Sequence, residues 1–159
     1  MSEAETAYRE ALNDYDRNPG TLAYIAAAQQ GLGNVLVDLG RLDEAQAMLS
    51  AAESSWQESG VASDPATLAV VHAWEGRLAL ASERYADAQT LLTTSLSQLE
   101  QSRDSKDLQV RRTLRALVQL YTQTGEADRA EAYRTRLASS EAGIAQLASA
   151  DCVPGGSLR

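Results

Sequence analysis

The chain has 159 residues and a formal net charge of −8. That is long enough for one domain with a substantial core, and too acidic for general binding to DNA, RNA or anionic membranes. Ala and Leu dominate, Phe is absent and there are three prolines, a composition that favours helix, and no bounded run of alternating β-branched and aromatic residues marks a strand.

Taken in order, Ala4, Tyr8, Ala11 and Leu12 fall on one helical face, and Asn18-Pro19-Gly20 closes that segment. Thr21 is placed to cap a helix reaching about Leu39, with Gly40 suited to the left-handed residue just past its end. A partner helix is predicted from about Leu42 to Gln57. Small residues stand where the two helices must approach, Gly33 on the first, Ala45 and Ala52 on the second. Residues 60–63 read as a loop, after which Asp64-Pro65 restarts a helix.

The second hairpin repeats the first. Gly76 aligns with Gly33, Tyr85 with Leu42, Ala88 with Ala45, Leu92 with Leu49 and Ser95 with Ala52, while Glu83 replaces the turn glycine. Asp104 or Ser105 is expected to open a third hairpin carrying Leu117, Tyr121, Gly125 and Ala130. There Val118 and Arg134 depart from the pattern. Beyond Ala138, Leu137, Ile144 and Leu147 share a face of an extended or additional capping helix, with Gly143 as a candidate break. Residues 151–159 read as a flexible tail.

The marker alanines Ala4, Ala45, Ala88 and Ala130 are separated by 41, 43 and 42 residues, a near-constant period over most of the chain. Leu32-Gly33, Leu36, Gly40, Leu42, Ala45, Leu49 and Ala52 resemble the tetratricopeptide repeat (TPR), a helical hairpin of about 34 residues that stacks into a solenoid. The longer period is similar to the extended repeats of kinesin light chains and bacterial regulators. The composition is also similar to repeat regions of some bacterial serine/threonine kinases, although no kinase motif is present. The resemblance implies an all-α, right-handed superhelical solenoid over residues 1–150. It divides into a half-repeat at 2–17, repeats at about 21–58, 64–103 and 105–139, and a capping helix at 140–150.

It also implies a groove lined by the first helix of each pair. The positions so marked include Gln30 and Asn34 in the first repeat, Trp74 and Arg77 in the second, and Arg112, Arg115 and Gln119 in the third. Residues 105–136 carry seven basic and four acidic side chains, against the acidic balance elsewhere. Arg grips carboxylates through paired hydrogen bonds and Trp offers a flat apolar anchor. The groove is therefore expected to take an acidic or carboxylate-bearing peptide, held mainly by the third repeat. The opposing reading is that the arginines only neutralise neighbouring acids such as Glu75 and Asp107.

His72 is the single histidine and reads as a packing residue; Trp56 reads the same way. Cys152 is the single cysteine and leaves no partner for an internal disulfide. No metal cluster, phosphate loop or dinucleotide motif is written in the chain, so neither an enzyme nor a cofactor is expected. The acidic start has no apolar leader and no 18-residue apolar run exists, so a cytoplasmic place is expected. A protein or peptide is the expected partner. The alternative is a structural segment whose unpaired N-terminal half-repeat joins a second copy or a longer solenoid.

Overall fold

The computed structural model describes residues 2–17, 22–59, 65–102 and 107–150. Among them are seven helices and no strand. These are α1 (Glu3–Arg17), α2 (Leu22–Asp38), α3 (Leu42–Glu58), α4 (Pro65–Ala81), α5 (Tyr85–Ser102), α6 (Leu108–Gln123) and α7 (Ala127–Ala150). The chain is all-α, with sequential antiparallel helices packed in adjacent pairs in a repeat-like arrangement. The closest pairs are α2 with α3, α4 with α5 and α6 with α7, and α1 packs on α2. The expected turn at Asn18-Pro19-Gly20, the caps at Thr21, Asp64 and Asp104 or Ser105, the 60–63 loop and the 151–159 tail with Cys152 lie outside the described residues.

The pairs form because small residues admit close approach. Ala45, Ala52 and Ala88 are wholly buried. A methyl placed on Gly33 would come within 2.8 Å of Leu49 Cγ, and one on Gly76 within 2.8 Å of Leu92 Cγ, so each glycine is where a leucine of the partner helix lies against the backbone. The three intra-pair turns share one hydrogen-bond pattern. Arg41, Arg84 and Glu126 each donate their N–H to the carbonyl five residues back (Leu36, Ala79, Tyr121), at 2.9, 2.8 and 2.8 Å. Gly40, Glu83 and Gly125 hold positive φ of 73°, 59° and 77°. This is the Schellman ending, and Glu83 adopts it without the freedom of glycine.

Helix α4 is the centre. It carries buried residues all round, Val70, Val71, Trp74, Leu78 and Leu80 among them, because it touches α2, α3, α5 and α6. Helix α1 is held at its first turn by Ser2, whose hydroxyl accepts from the Glu5 N–H at 3.2 Å. Tyr8 and Leu12 pack from α1 onto the core, and the Tyr8 ring lies so close to Gly31 that a Cβ there would meet Cε1 at 2.3 Å.

In the last pair one expectation changes and one open alternative is decided. Helix α6 opens at Leu108, later than Asp104 or Ser105, because Asp107 caps it and accepts from the Gln109 N–H at 2.7 Å. Of the two forms expected beyond Ala138, an extended or an additional helix, the extended one is present, so residues 140–150 are not a separate helix. α7 runs unbroken through Gly143, since one interior glycine costs about 1 kcal/mol relative to alanine, too little to end a helix. Arg134, in place of an apolar residue, lies on an exposed face and donates to Thr122 Oγ1 at 3.1 Å and to Glu131 at 3.0 Å. No helix among the described residues is long and apolar enough to cross a membrane.

Candidate functional site

The first helix of each pair contributes to one side of the molecule. There α2, α4 and α6 bound a series of clefts that share lining residues. One, of about 370 Å³, is lined by Tyr8, Ala27, Gln30, Gly31, Asn34, Trp56, Thr67, Val70, Gln109 and Arg112. A second, of about 220 Å³, is lined by Asp38, Trp74, Arg77, Arg112, Arg115, Ala116 and Gln119. A third, of about 190 Å³, has Asp38, Arg77 and Gln119 in common with the second. The helical spacing of three and four residues puts Arg112, Arg115 and Gln119 on one face of α6. All seven residues singled out from the sequence lie on this side. Gln30 and Asn34 are in the first cleft, Trp74, Arg77, Arg115 and Gln119 in the second, and Arg112 in both.

Their roles within the clefts differ from the sequence reading. Trp74 is not an open apolar anchor: it is 2 % exposed. The Arg77 guanidinium lies 4.2 Å from its ring centroid and that of Arg112 lies 5.4 Å away, so cations cover the π face. Trp74 belongs to the core because α4 is enclosed by four other helices.

The arginines differ among themselves. Arg77 donates to Asp38 at 2.5 Å, tying α4 to α2. Arg115 donates to Glu141 at 2.5 Å, tying α6 to α7. Their acids are thus Asp38 and Glu141, not the chain neighbours. Among the described residues, Arg112 has no ion-pair partner. It is half-buried, the one guanidinium among the described lining residues of the first cleft, and among the described residues its charge faces no carboxylate in either cleft lining except Asp38, which Arg77 already holds.

Of the lining residues of the first cleft that were not singled out as site residues from the sequence, four are polar or aromatic: Tyr8, Trp56, Thr67 and Gln109. Tyr8 and Trp56 stand on α1 and α3, the second-type helices, which a count of first-helix positions passes over. Trp56 is half-buried rather than core. Its indole N–H and the Asn34 carbonyl oxygen are shielded from water with no hydrogen-bond partner among the described residues. Such an atom costs about 1–3 kcal/mol while it stays unpaired.

A larger cleft of about 450 Å³ lies elsewhere, lined by Gln89, Tyr121, Arg129, Ala132, Tyr133 and Arg136. Tyr121 and Tyr133 stack there at 5.6 Å; burial, and then the neighbouring Tyr133, push the Tyr121 phenol above its ordinary range. Its cations are compensated inside the chain, Arg129 by Glu126 at 2.8 Å and Arg136 by Glu100. Size therefore favours this cleft, and uncompensated charge favours the α2–α4–α6 side. Charge is the better guide to a charged ligand, because a paired arginine must give up its acid before it can bind another. Compared with known protein families and with curated proteins, the chain matches none.

Proposed function

We propose that the chain is a TPR-like superhelical scaffold, three hairpins with a leading half-repeat, whose α2–α4–α6 side binds a protein or peptide segment bearing an acidic or terminal carboxylate. The fold part of this reading is supported by the common turn geometry at Gly40, Glu83 and Gly125 and by the paired contacts of Gly33 and Gly76. The binding part is carried by Arg112, a guanidinium shared by two adjoining clefts and left without an acid among the described residues. A charge-assisted hydrogen bond to a ligand carboxylate is stronger than one between neutral groups. Recognition of this kind uses no covalent chemistry.

The test is affinity capture with mass spectrometry, comparing wild type with the Arg112→Ala/Arg115→Ala double variant. The variant is expected to keep its helicity and lose the captured partner, and the loss is expected to shrink as salt rises. Capture indifferent to both the substitutions and salt defeats the reading.

A second reading, self-assembly through the half-repeat, has its own observation. Ala45, Ala88 and Ala130 are buried against their hairpin partners, whereas the equivalent Ala4 on α1 is exposed. Light scattering decides it: a monomer at all concentrations excludes self-assembly.

A further inference from the structure

The cleft of about 450 Å³ bounded by α5, α6 and α7 shares no lining residue with those of the α2–α4–α6 side. We infer that it is a second interaction surface, which takes an uncharged aromatic side chain of a partner protein, Tyr or Trp, stacked on the Arg136 guanidinium. It stands whether or not the other side binds a carboxylate.

Helix packing does not ask for the residues found there. Leu36, Ala79 and Tyr121 hold one place in the three hairpins, each accepting the turn N–H from five residues on. Met48, Leu91 and Tyr133 hold another, eight residues past Gly40, Glu83 and Gly125. Aliphatic side chains fill both places in the first two hairpins, and Ala51 and Thr94 stand where the third has Arg136. The third hairpin instead builds a row of flat groups. Its Tyr121 and Tyr133 rings stack at 5.6 Å, 6° from parallel. The Arg129 guanidinium lies 5.4 Å from the first ring and that of Arg136 lies 5.5 Å from the second.

The charges select the occupant. Arg129 is paired with Glu126 and Arg136 with Glu100. An incoming anion would have to displace one of these carboxylates, and an incoming cation would meet two guanidiniums. A carboxylate bonds a guanidinium in its plane and leaves the faces bare. One face of Arg136 lies over Tyr133. The side chain is 45 % exposed and lines the cleft, so its other face is open to a ring. Such a face is weakly hydrated and attracts an aromatic π system more than an alkyl group. Gln89, also in the lining, has an amide for the phenol O–H or indole N–H that a Tyr or Trp ring carries. The volume is of the usual size for a ligand cleft, about 300–1,000 Å³. The net charge of −8 disfavours a base presented on a nucleic acid.

The probes are acetylated and amidated pentapeptides of Gly and Ser with one central Trp, Tyr, Leu or Glu, together with an oligothymidylate. Binding is read from the Nε–Hε resonances of Arg129 and Arg136 and the Gln89 amide in ¹H–¹⁵N spectra. The Trp and Tyr peptides are expected to shift them, with the Arg136 Hε moved upfield by the ring above it, and the others are not. Arg136→Lys keeps the charge and loses the plane, and is expected to weaken binding about two- to fivefold. Ala132→Glu, an exposed helix position in the same lining, is expected to abolish it while leaving the rest of the spectrum in place. The aromatic site is overturned if the Leu peptide shifts these resonances as strongly as the Trp peptide, if the Glu peptide or the oligothymidylate binds in preference, if both variants bind like wild type, or if no probe shifts them. None of these outcomes touches the α2–α4–α6 reading, which is tested through Arg112 and Arg115.

Discussion

Arg77 lies over Trp74, its guanidinium carbon 4.2 Å from the ring centroid, and from there donates to Asp38 at 2.5 Å. One side chain thus covers the largest aromatic of α4 and joins α4 to α2. The residue that looked most like a ligand anchor is a structural element, and the arginine beside it is committed to holding that element.

Trp74→Ala is therefore expected to act on stability. Removing a side chain that is 2 % exposed should cost about 3–5 kcal/mol, seen as a lower midpoint in urea unfolding. A variant that unfolds at the wild-type midpoint and only loses partner binding would show that Trp74 is an anchor after all.

The helix pairs make a second prediction. Leu49 and Leu92 are wholly buried and their Cγ atoms stand 2.8 Å from where a Cβ on Gly33 or Gly76 would be. They have no space to withdraw into. Gly33→Ala should destabilise by about 1–3 kcal/mol despite alanine's better helix propensity, and Ala45→Leu by a similar amount. Thermal melts test both. A gain in stability for Gly33→Ala would mean the pairs are looser than the contacts state.

The hairpins were legible in the sequence because steric need leaves a residue signature: only a small side chain fits where backbones approach, and Gly33, Ala45, Gly76 and Ala88 recur at the right spacing. The side carrying the candidate site was legible for the same reason, since helical periodicity places Arg112, Arg115 and Gln119 together. The state of each arginine was not. Whether a guanidinium is free or bound depends on acids distant in sequence, Glu141 for Arg115 and Asp38 for Arg77. Nor was the contribution of Tyr8 and Trp56, which reach the cleft from helices whose sequence pattern marks them as packing elements. The sequence pattern starts α6 too early because it passes over Asp107, whose carboxylate accepts from the Gln109 N–H and caps the helix.

Glu83 yields a third prediction. It holds φ of 59° in the turn where Gly40 and Gly125 do the same, a conformation costing a non-glycine residue about 1–2 kcal/mol. Its side chain is exposed, so nothing is lost by removing it. Glu83→Gly should relieve the strain and, after the greater freedom of glycine in the unfolded chain is subtracted, stabilise by about 0.5–1 kcal/mol. Urea midpoints for the variant and wild type measure this. A loss of stability would indicate that the Glu83 side chain contributes something to the turn.

The last prediction concerns pH, where two glutamates act in opposite senses. Glu5 is wholly buried on α1; one of its oxygens accepts from Arg41 at 2.6 Å and from Arg9 at 3.1 Å, while the other has no partner. Burial pushes its pKa up, but the hydrogen bonds and charges of Arg41 and Arg9 outweigh that and hold it below the ordinary glutamate value. Glu44 is lowered chiefly by Arg41 in the same cluster. A lowered folded pKa means stability that is present above the unfolded value and is lost as pH falls through the folded one. Glu75 is the reverse: burial, then the nearby charge of Glu53, raise its pKa, so its ionised form opposes folding at neutral pH and protonation relieves it. Glu5→Gln should accordingly lower the melting temperature at pH 7, with the difference from wild type vanishing as pH falls below the ordinary glutamate range. Glu75→Gln should raise stability at pH 7 by no more than about 0.5 kcal/mol, because its partial exposure screens the effect, and that gain should also vanish in acid. Melting curves of both variants from pH 3 to 7 make the test. A Glu5→Gln deficit that persists unchanged at pH 3 would show that the carboxylate stabilises α1 by shape rather than by charge.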